Sequence, residues 1–287
     1  MIHLQEWESK HKSILILNEK LSFIDTESEK EVLIIFHEFG ASSFNYYKII
    51  NELKQHYRVI IPDLIGFGLS SKPQNYYNSI LDHAQILIEF INLLNINRFS
   101  TLSHGFGTSV LSEFLNIIKT NALNIKVKEI FLLNGSLTIE TTNHKSFEDI
   151  IDNELTNKFI KITISYELFK KYYRESLGKK DAITEDEFKV LWQLQNRNNG
   201  GRIIKFIDYS IKERKLYCEK WIEILKLYQN QIQIIWGKDD VLSNLSSVEK
   251  LKNILNITEV YTLEDCGHFP MMEKPKQLSK LILHLKN

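Results

Sequence analysis

This chain of 287 residues contains few cysteines, has a formal net charge of zero and lacks long apolar runs. Its two cysteines, Cys218 and Cys266, lie far apart and form no C-x-x-C pair. This spacing argues against a disulfide framework and predicts two core thiols in a reducing compartment. Basic and acidic residues number 36 each, so no long-range electric field favours nucleic acid or an anionic membrane. A small, largely apolar molecule is therefore the expected partner.

No stretch of the sequence predicts a membrane span or a secretion signal. Asn, Lys and Glu interrupt the apolar runs before they reach the roughly 20 residues that a bilayer requires. The first residues contain neither a basic n-region nor an apolar h-region. We therefore expect a cytoplasmic protein with no membrane span, and its oligomeric state is left open.

Short, continuously apolar and β-branched runs recur along the chain, as is typical of strands buried on both faces of a parallel sheet. Segments with helical periodicity separate them, and this alternation predicts an α/β fold with a mostly parallel central sheet flanked by helices. The predicted strands are residues 32–36, 58–62, 99–102, 130–133, 232–236 and 260–263.

The alternation of strands and helices stops after Gly135, and about ninety residues of helical, charge-rich sequence follow. This segment is interpreted as an inserted helical cap at residues 137–228, between two parts of one core at residues 1–136 and 229–287. A turn is expected at residues 198–201, where two asparagines precede two glycines. The predicted cap helices are residues 146–161, 165–173, 185–195 and 203–211.

Three motifs that could carry chemistry each follow a predicted strand. Residues 103–107, Ser-His-Gly-Phe-Gly, lie between a strand and an amphipathic helix, where a tight turn would lift the side chain of residue 105 above the sheet. Downstream, Asp240 follows one strand and His268 follows the last one. The chain order is therefore nucleophile position, acid, base.

Together these motifs resemble the α/β-hydrolase superfamily over essentially the whole chain. The likeness is strongest to the branch with an aspartate nucleophile, which holds haloalkane dehalogenases, epoxide hydrolases and mesoderm-specific transcript proteins. The pattern of the last group (Ser-His, nucleophile, aromatic, Gly) is matched by residues 103–107. Further similarity lies in residues 197–201, 212–215 and Trp221. The resemblance implies an α/β-hydrolase fold whose helical cap covers the active site.

The resemblance also implies roles for individual residues. His268 would be the general base, and Asp240 rather than its neighbour Asp239 would orient it. The backbone N–H groups of Phe39 and Phe106 would form an oxyanion hole. The family loop normally reads His-Gly-x-Pro, whereas this chain has His-Glu-Phe-Gly at residues 37–40. Three further residues are expected to line the substrate pocket: His37, Glu38 and Trp192.

Gly105 departs from the family pattern, because glycine has no oxygen or sulfur to attack a carbonyl, epoxide or alkyl halide. Covalent catalysis at this position is therefore expected to be lost or crippled. The elbow residue should have a positive φ, where a side chain costs about 1 to 3 kcal/mol, so glycine should stabilise the fold. The nearby Ser103, Thr108 and Ser109 are expected in the strand or behind the elbow, and not as replacements.

Other tempting groups favour structural interpretations. The histidines show no paired ligand spacing, so neither a metal nor another cofactor is expected. Asp63 with Gly66 and Gly68 is a loop-shaping motif rather than a phosphate loop. The basic run at residues 212–215 is a solvated helix face.

Three functions stay open on the sequence alone. The first is a hydrolase by descent for a small apolar ester, epoxide or haloalkane, with its covalent chemistry impaired. In the second, His268 and Asp240 activate a water molecule in the space vacated at Gly105. The third is a non-catalytic protein that binds or senses a small ligand in the covered pocket.

Overall fold

A computed structural model describes residues 3–74, 76–135, 137 and 165–286. Its centre is an eight-stranded sheet with the order β1-β2-β4-β3-β5-β6-β7-β8. The strands are β1 (Lys12–Ile16), β2 (Glu19–Asp25), β3 (Val32–Phe36), β4 (Arg58–Pro62), β5 (Arg98–His104), β6 (Lys126–Leu133), β7 (Ile232–Gly237) and β8 (Val260–Leu263).

Strands β3 to β8 pair in parallel, which confirms the predicted α/β architecture. Alternate residues of β3 enter two different apolar layers: Ile34 and Phe36 pack in one, and Leu33 and Ile35 in the other. Both faces of the strand are thus buried, which explains its uninterrupted apolar sequence. Because parallel strands end at the same edge of the sheet, the motifs that follow β3, β5, β7 and β8 are brought together.

The amino-terminal hairpin of β1 and β2 was not predicted. The two strands pair antiparallel, and the turn between them consists of Leu17 and Asn18 with φ values of 51° and 67°. Two-residue hairpin turns normally use Asn-Gly or Gly at such angles, and leucine gives no such signal. β2 also pairs antiparallel with β4, which makes this end of the sheet mixed.

Helices cover both faces of the sheet. The core helices are α1 (Leu4–Ser9), α2 (Tyr47–Leu53), α3 (Ile80–Leu93), α4 (Phe106–Thr120), α8 (Leu245–Ile254), α9 (Pro270–Glu273) and α10 (Pro275–His284), with short 3-10 turns at Ser43–Tyr46 and Gln229–Gln231. No helix within the described residues is both long and apolar enough to cross a membrane.

The segment between β6 and β7 contributes helices α5 (Tyr166–Glu175), α6 (Glu185–Asn196) and α7 (Ile207–Leu227), preceded by a 3-10 stretch at Arg197–Phe206. The predictions at 165–173 and 185–195 correspond to α5 and α6. The prediction at 203–211 is wrong in its bounds, because a 3-10 turn precedes a 21-residue helix. Asn198 and Asn199 have positive φ and break the chain direction, as the predicted turn requires. The predicted helix at 146–161 lies outside the described residues.

Helix α7 reaches from this segment onto the core. The indole of Trp221 is fully buried, and its Nε1 donates a hydrogen bond to Glu113 of α4 at 2.6 Å. Trp221 therefore packs against the core rather than lining a pocket. Of the two cysteines, Cys266 is buried as expected, whereas Cys218 on α7 is only half-buried, so just one is a core thiol.

Candidate active site

The strand-to-helix turn after β5 has the geometry of a nucleophile elbow. β5 ends at His104, α4 begins at Phe106, and Gly105 between them has φ 51° and ψ −115°. Gly107 lets the helix approach β3, since a Cβ there would lie 2.2 Å from the carbonyl oxygen of Phe36. The positive φ makes glycine the least strained residue at position 105.

Asp240 and His268, the predicted acid and base, form a buried, hydrogen-bonded pair. His268 Nδ1 lies 2.9 Å from Asp240 Oδ2. The other carboxylate oxygen, Oδ1, accepts hydrogen bonds from the N–H groups of Leu242 and Ser243. The neighbouring Asp239 is exposed. This arrangement fixes the imidazole with Nε2 pointing away from Asp240.

Asn134, which the sequence analysis did not single out, supports this pair. Its Nδ2 donates to Asp240 Oδ2 at 2.7 Å, and its Oδ1 accepts the N–H of Gly237 at 3.1 Å. A polar residue directly after the apolar run of β6 is the signal that could have identified it, because strand ends at this edge of the sheet carry the site.

The space next to Gly105 is filled by the carboxylate of Glu38. A Cβ on residue 105 would lie 1.1 Å from Glu38 Oε2 and 2.3 Å from Cδ. The carboxylate group thus occupies the place into which the elbow would project a side chain. Glu38 Oε2 also lies 3.4 Å from His268 Nε2. Glu38 had been expected only to line the substrate pocket, and its position beside the imidazole could not be read from the local sequence.

The two predicted oxyanion-hole donors both bind this carboxylate. The N–H of Phe39 donates to Oε1 at 2.5 Å, and the N–H of Phe106 donates to Oε2 at 2.9 Å. The side chain of Glu38 as a whole is 16% exposed. The two predicted donors therefore bind an anion that the protein itself supplies.

His268 and the carboxylates beside it each stabilise the charged form of the other. Burial alone would lower the pKa of His268, but the carboxylates of Asp240 and Glu38 raise it to about 10. Burial alone would raise the pKa of Glu38, but the hydrogen bond and charge of His268 hold it below its ordinary value. Near neutral pH the site is therefore an imidazolium between two carboxylates.

His37 connects two loops through its ring nitrogens, and its expected place in the substrate pocket stays a prediction. It is fully buried, its Nδ1 donates to the carbonyl oxygen of Glu38 at 2.7 Å, and its Nε2 accepts the N–H of Leu64 at 2.9 Å. Burial lowers the pKa of His37. With both ring nitrogens bound to the backbone, the imidazole orients the loop that carries Glu38.

The Asp63 motif shapes its loop, as predicted. Asp63 is fully buried and accepts the N–H groups of Ser43 at 2.7 Å and Leu69 at 2.8 Å. Gly68 has φ 50°, and a Cβ there would lie 2.2 Å from the Asp63 carboxylate. The glycine is required so that the loop can close around the aspartate.

The hydroxyl groups near the elbow lie behind it. Ser103 and Thr108 are buried and 3.2 Å apart, bound to each other. Ser109 is also fully buried, on α4. Trp192, the third expected pocket residue, lies on α6. Its ring is edge-on to that of Tyr166, with the ring centroids 5.8 Å apart. Its place in a substrate pocket stays a prediction.

One group with metal-ligand spacing occurs among the residues that the structure describes. Glu38, His104 and His268 offer ligand atoms within 4.8 Å of one another. His104 Nε2 donates to the carbonyl oxygen of His268 at 2.7 Å, and burial lowers the pKa of His104 to about 3. The group suits a cation poorly, because both carboxylate oxygens accept N–H groups and His268 carries its proton at neutral pH.

Glu273 holds the loop of His268 in place and was also missed by the sequence analysis. Its buried carboxylate accepts the N–H groups of Gly267 and Phe269 from that loop, and those of Gly178 and Lys179 from the segment between α5 and α6. A single carboxylate thus ties this segment to the loop that carries His268. Its helical position in a Pro-Met-Met-Glu turn gave no signal of this role.

Comparison with known proteins agrees with the fold. The model of the α/β hydrolase fold family matches residues 31–275. The mouse mesoderm-specific transcript protein is 26% identical over 282 residues, covering 95% of this chain and 84% of its own length. A lipase of a Moraxella species is 24% identical over 246 residues, covering 86% of this chain and 74% of its own.

Among solved structures, a meta-cleavage product hydrolase from Pseudomonas fluorescens superimposes with a TM-score of 0.76 at 20% identity. The alignment covers 95% of this chain and 96% of the other. At this identity the likeness shows the fold alone. The match to the family model spans far more than half of the sequence. The matched range includes the elbow and the Asp240–His268 pair. This chain belongs to the α/β hydrolase fold family.

Proposed function

We propose that this chain is a hydrolase for a small, largely apolar ester, epoxide or haloalkane. In this proposal the Asp240–His268 pair supplies acid–base chemistry, and covalent catalysis through residue 105 is lost. The observation that carries it is the buried imidazole, 2.9 Å from Asp240 and with Nε2 facing the elbow. A protein that had drifted away from catalysis would have no need to keep a charged, desolvated pair.

The position of Glu38 argues against water activation in the space next to Gly105. A water molecule there would overlap the carboxylate, since Oε2 lies 1.1 Å from the Cβ position. Any water that His268 activates must approach from another side. The acid, the imidazole, the two N–H donors and a carboxylate at the nucleophile position are all assembled, and this assembly favours an enzyme.

The proposal is tested with panels of nitrophenyl esters, epoxides and haloalkanes. We expect turnover of at least one class, and a loss of about 100-fold or more in the His268→Gln variant, because the general acid–base group is removed. His56→Gln is the matched control, since His56 is exposed in the turn that follows α2. Turnover that survives His268→Gln would contradict the assignment.

A binding or sensing protein is the second candidate. It is favoured by one observation: Glu38 already fills the oxyanion hole and neutralises the imidazolium, as a bound product carboxylate would. In that case a ligand from the panel would raise the melting temperature while its own mass stays unchanged after long incubation. Hydrolysis of the same ligand would exclude this function.

A further inference from the structure

We propose that Glu38 is the nucleophile of this site, and that its carboxylate attacks a saturated carbon of an epoxide. This inference deepens the proposed hydrolase function and rests on it. It assigns to the loop after β3 the role that the family places on the elbow after β5. It also identifies a catalytic residue and narrows the substrate class.

The first support is position. Relative to a Cβ on residue 105, Glu38 Oε2 would lie at 1.1 Å, Cδ at 2.3 Å and Oε1 at 3.1 Å. The carboxyl group therefore lies where a short side chain on the elbow would place its own functional group. Glycine at 105 is the only residue that leaves this volume free. Two of the departures from the family pattern, glutamate at 38 and glycine at 105, are thus one rearrangement.

The second support is preorganisation. Phe39 N–H and Phe106 N–H each bind one carboxylate oxygen, and His268 Nε2 lies 3.4 Å from Oε2. These contacts hold the carboxylate ionised and fixed, which is the state a nucleophile needs. Glu38 also interacts electrostatically with the buried Tyr46 and with Arg214, a cationic side chain of α7.

The first chemical step forms an ester on the protein. Glu38 Oε2 bonds to an epoxide carbon, and the bond from that carbon to the ring oxygen breaks with its electron pair on oxygen. The resulting alkoxide takes the Nε2 proton of the His268 imidazolium. The products are a hydroxyalkyl ester of Glu38 and a neutral imidazole, so charge and protons balance.

The second step cleaves that ester with water. Neutral His268 takes a proton from water, and the hydroxide adds to Cδ of Glu38 while the N–H group of Phe39, which binds Oε1, stabilises the oxyanion that forms there. The diol oxygen leaves as the carbonyl re-forms and takes the proton of the new carboxylic acid. The carboxylate and the imidazolium are restored, and epoxide plus water has become a diol.

The chemistry of a carboxylate separates the substrate classes. Attack on a carboxylic ester gives a tetrahedral adduct from which the carboxylate leaves more readily than an alkoxide, so the adduct reverts. Attack on a saturated carbon is not reversed in this way. A halide would leave without a proton, whereas an epoxide oxygen needs one, and the protonated His268 beside Glu38 provides it. Epoxides therefore fit the described residues best.

The test uses the full chain with styrene oxide as the probe. Glu38→Gln keeps the size of the side chain and removes the nucleophilic charge, so turnover should fall about 1,000-fold or more. Glu52→Gln, on the exposed face of α2, should leave turnover unchanged. In the His268→Gln variant the first step can still run with bulk water as proton donor, and the ester should accumulate. Peptide mass spectrometry should then find one hydroxyalkyl group on Glu38.

A swap of the two positions gives a second, independent readout. Glu38→Gly alone should abolish turnover, and Gly105→Asp alone should impair the enzyme because the two carboxylates would overlap. The double variant Glu38→Gly, Gly105→Asp returns one carboxylate to the elbow and should recover turnover relative to either single variant. Such recovery supports the shared position even if a single variant folds poorly.

Several results would overturn the inference, and they separate it from the proposed function. If Glu38→Gln keeps turnover that still depends on His268, the hydrolase function stands and Glu38 is not its nucleophile. If the unaltered chain forms no diol and no adduct while the double variant does, Glu38 merely blocks the site, and the proposed function fails as well. If EDTA abolishes turnover and Zn²⁺ restores it, Glu38, His104 and His268 hold a metal instead.

Discussion

Asn134 holds Asp240 from the side opposite Leu242 and Ser243, through a hydrogen bond of 2.7 Å from Nδ2 to Oδ2. Asn134 has φ 45°, a conformation that asparagine tolerates better than most residues. The same side chain accepts the N–H of Gly237 at 3.1 Å, so one amide links the ends of β6 and β7. The carboxylate of Asp240 is thus oriented by Asn134 through Oδ2 and by the N–H groups of Leu242 and Ser243 through Oδ1.

Substitutions of Asn134 should separate the contribution of its side-chain hydrogen bonds from that of its backbone conformation. Asn134→Gly keeps the backbone conformation and removes both hydrogen bonds, so we expect a loss of about 2 kcal/mol in the free energy of unfolding. Asn134→Ala adds the strain of a positive φ, about 1 kcal/mol more. Urea unfolding of the two variants measures the difference, and equal stabilities would contradict the role of the backbone conformation.

The overlap of Glu38 with the space beside Gly105 predicts energetic coupling. Gly105→Ala should destabilise the protein by about 1 to 3 kcal/mol through backbone strain alone, and further by displacing the Glu38 carboxylate. In a Glu38→Ala background only the strain remains. A double-mutant cycle should therefore give a coupling of about 1 to 2 kcal/mol. Strict additivity of the two changes would mean that the side chains do not compete.

The imidazolium of His268 predicts how stability depends on pH. Its pKa of about 10 lies above the ordinary value of 6.5, so folding favours the protonated form. The stabilisation is fully present below pH 6.5 and is lost as the pH rises through 10. The stability gap between the unaltered protein and His268→Gln should therefore narrow over this range.

Urea unfolding at pH 6, 8 and 10 measures this gap. Burial lowers the pKa of Lys72 to about 8, so this residue also makes stability depend on pH. Because Lys72 is present in both proteins, its contribution drops out of the difference between them. A gap that widens above pH 7 would show that His268 is neutral in the folded state.

The arrangement of the sheet could be predicted because its central strands are buried on both faces. Short, β-branched apolar runs such as Val32–Phe36 are typical of strands buried on both faces. The β1–β2 hairpin could not be predicted, because its turn has Leu17 at a position where glycine would be the usual signal. The kink at Asn198 and Asn199 was visible, but the 3-10 stretch around it depends on packing that spacing does not encode.

The elbow and the candidate acid and base could be proposed from the sequence because each follows a strand end with a recognisable motif. Both Glu38 and Gly105 stood out in the sequence as departures from the family pattern. Their relation could not be read there, since it depends on how β3 and β5 lie side by side and on a side chain turning back over the elbow. Glu273 was hidden for the same reason, because its partners come from distant loops.

Glu273 predicts a stability effect at a distance from the reacting atoms. In Glu273→Gln, an amide N–H₂ replaces one oxygen that accepts backbone N–H groups, so two sets of donors face each other. We expect a loss of about 2 to 4 kcal/mol in the free energy of unfolding. Glu264→Gln is the control, because the Glu264 side chain is 68% exposed and pairs with a surface lysine. Similar thermal stability of the two variants would contradict the role of Glu273.

The neighbouring pair Asp239 and Asp240 offers the sharpest test of the catalytic pair. Asp240→Asn keeps the size of the side chain but replaces the acceptor of His268 Nδ1 with an amide, so the imidazole loses both its orientation and its stabilising charge. By analogy with other acid–histidine pairs, turnover should fall by about 1,000- to 10,000-fold. Asp239→Asn changes the same functional group one residue earlier, on an exposed side chain, and should leave turnover unchanged. Steady-state rates on the best substrate of the panel compare the two, and a larger loss in Asp239→Asn would move the acid to that residue.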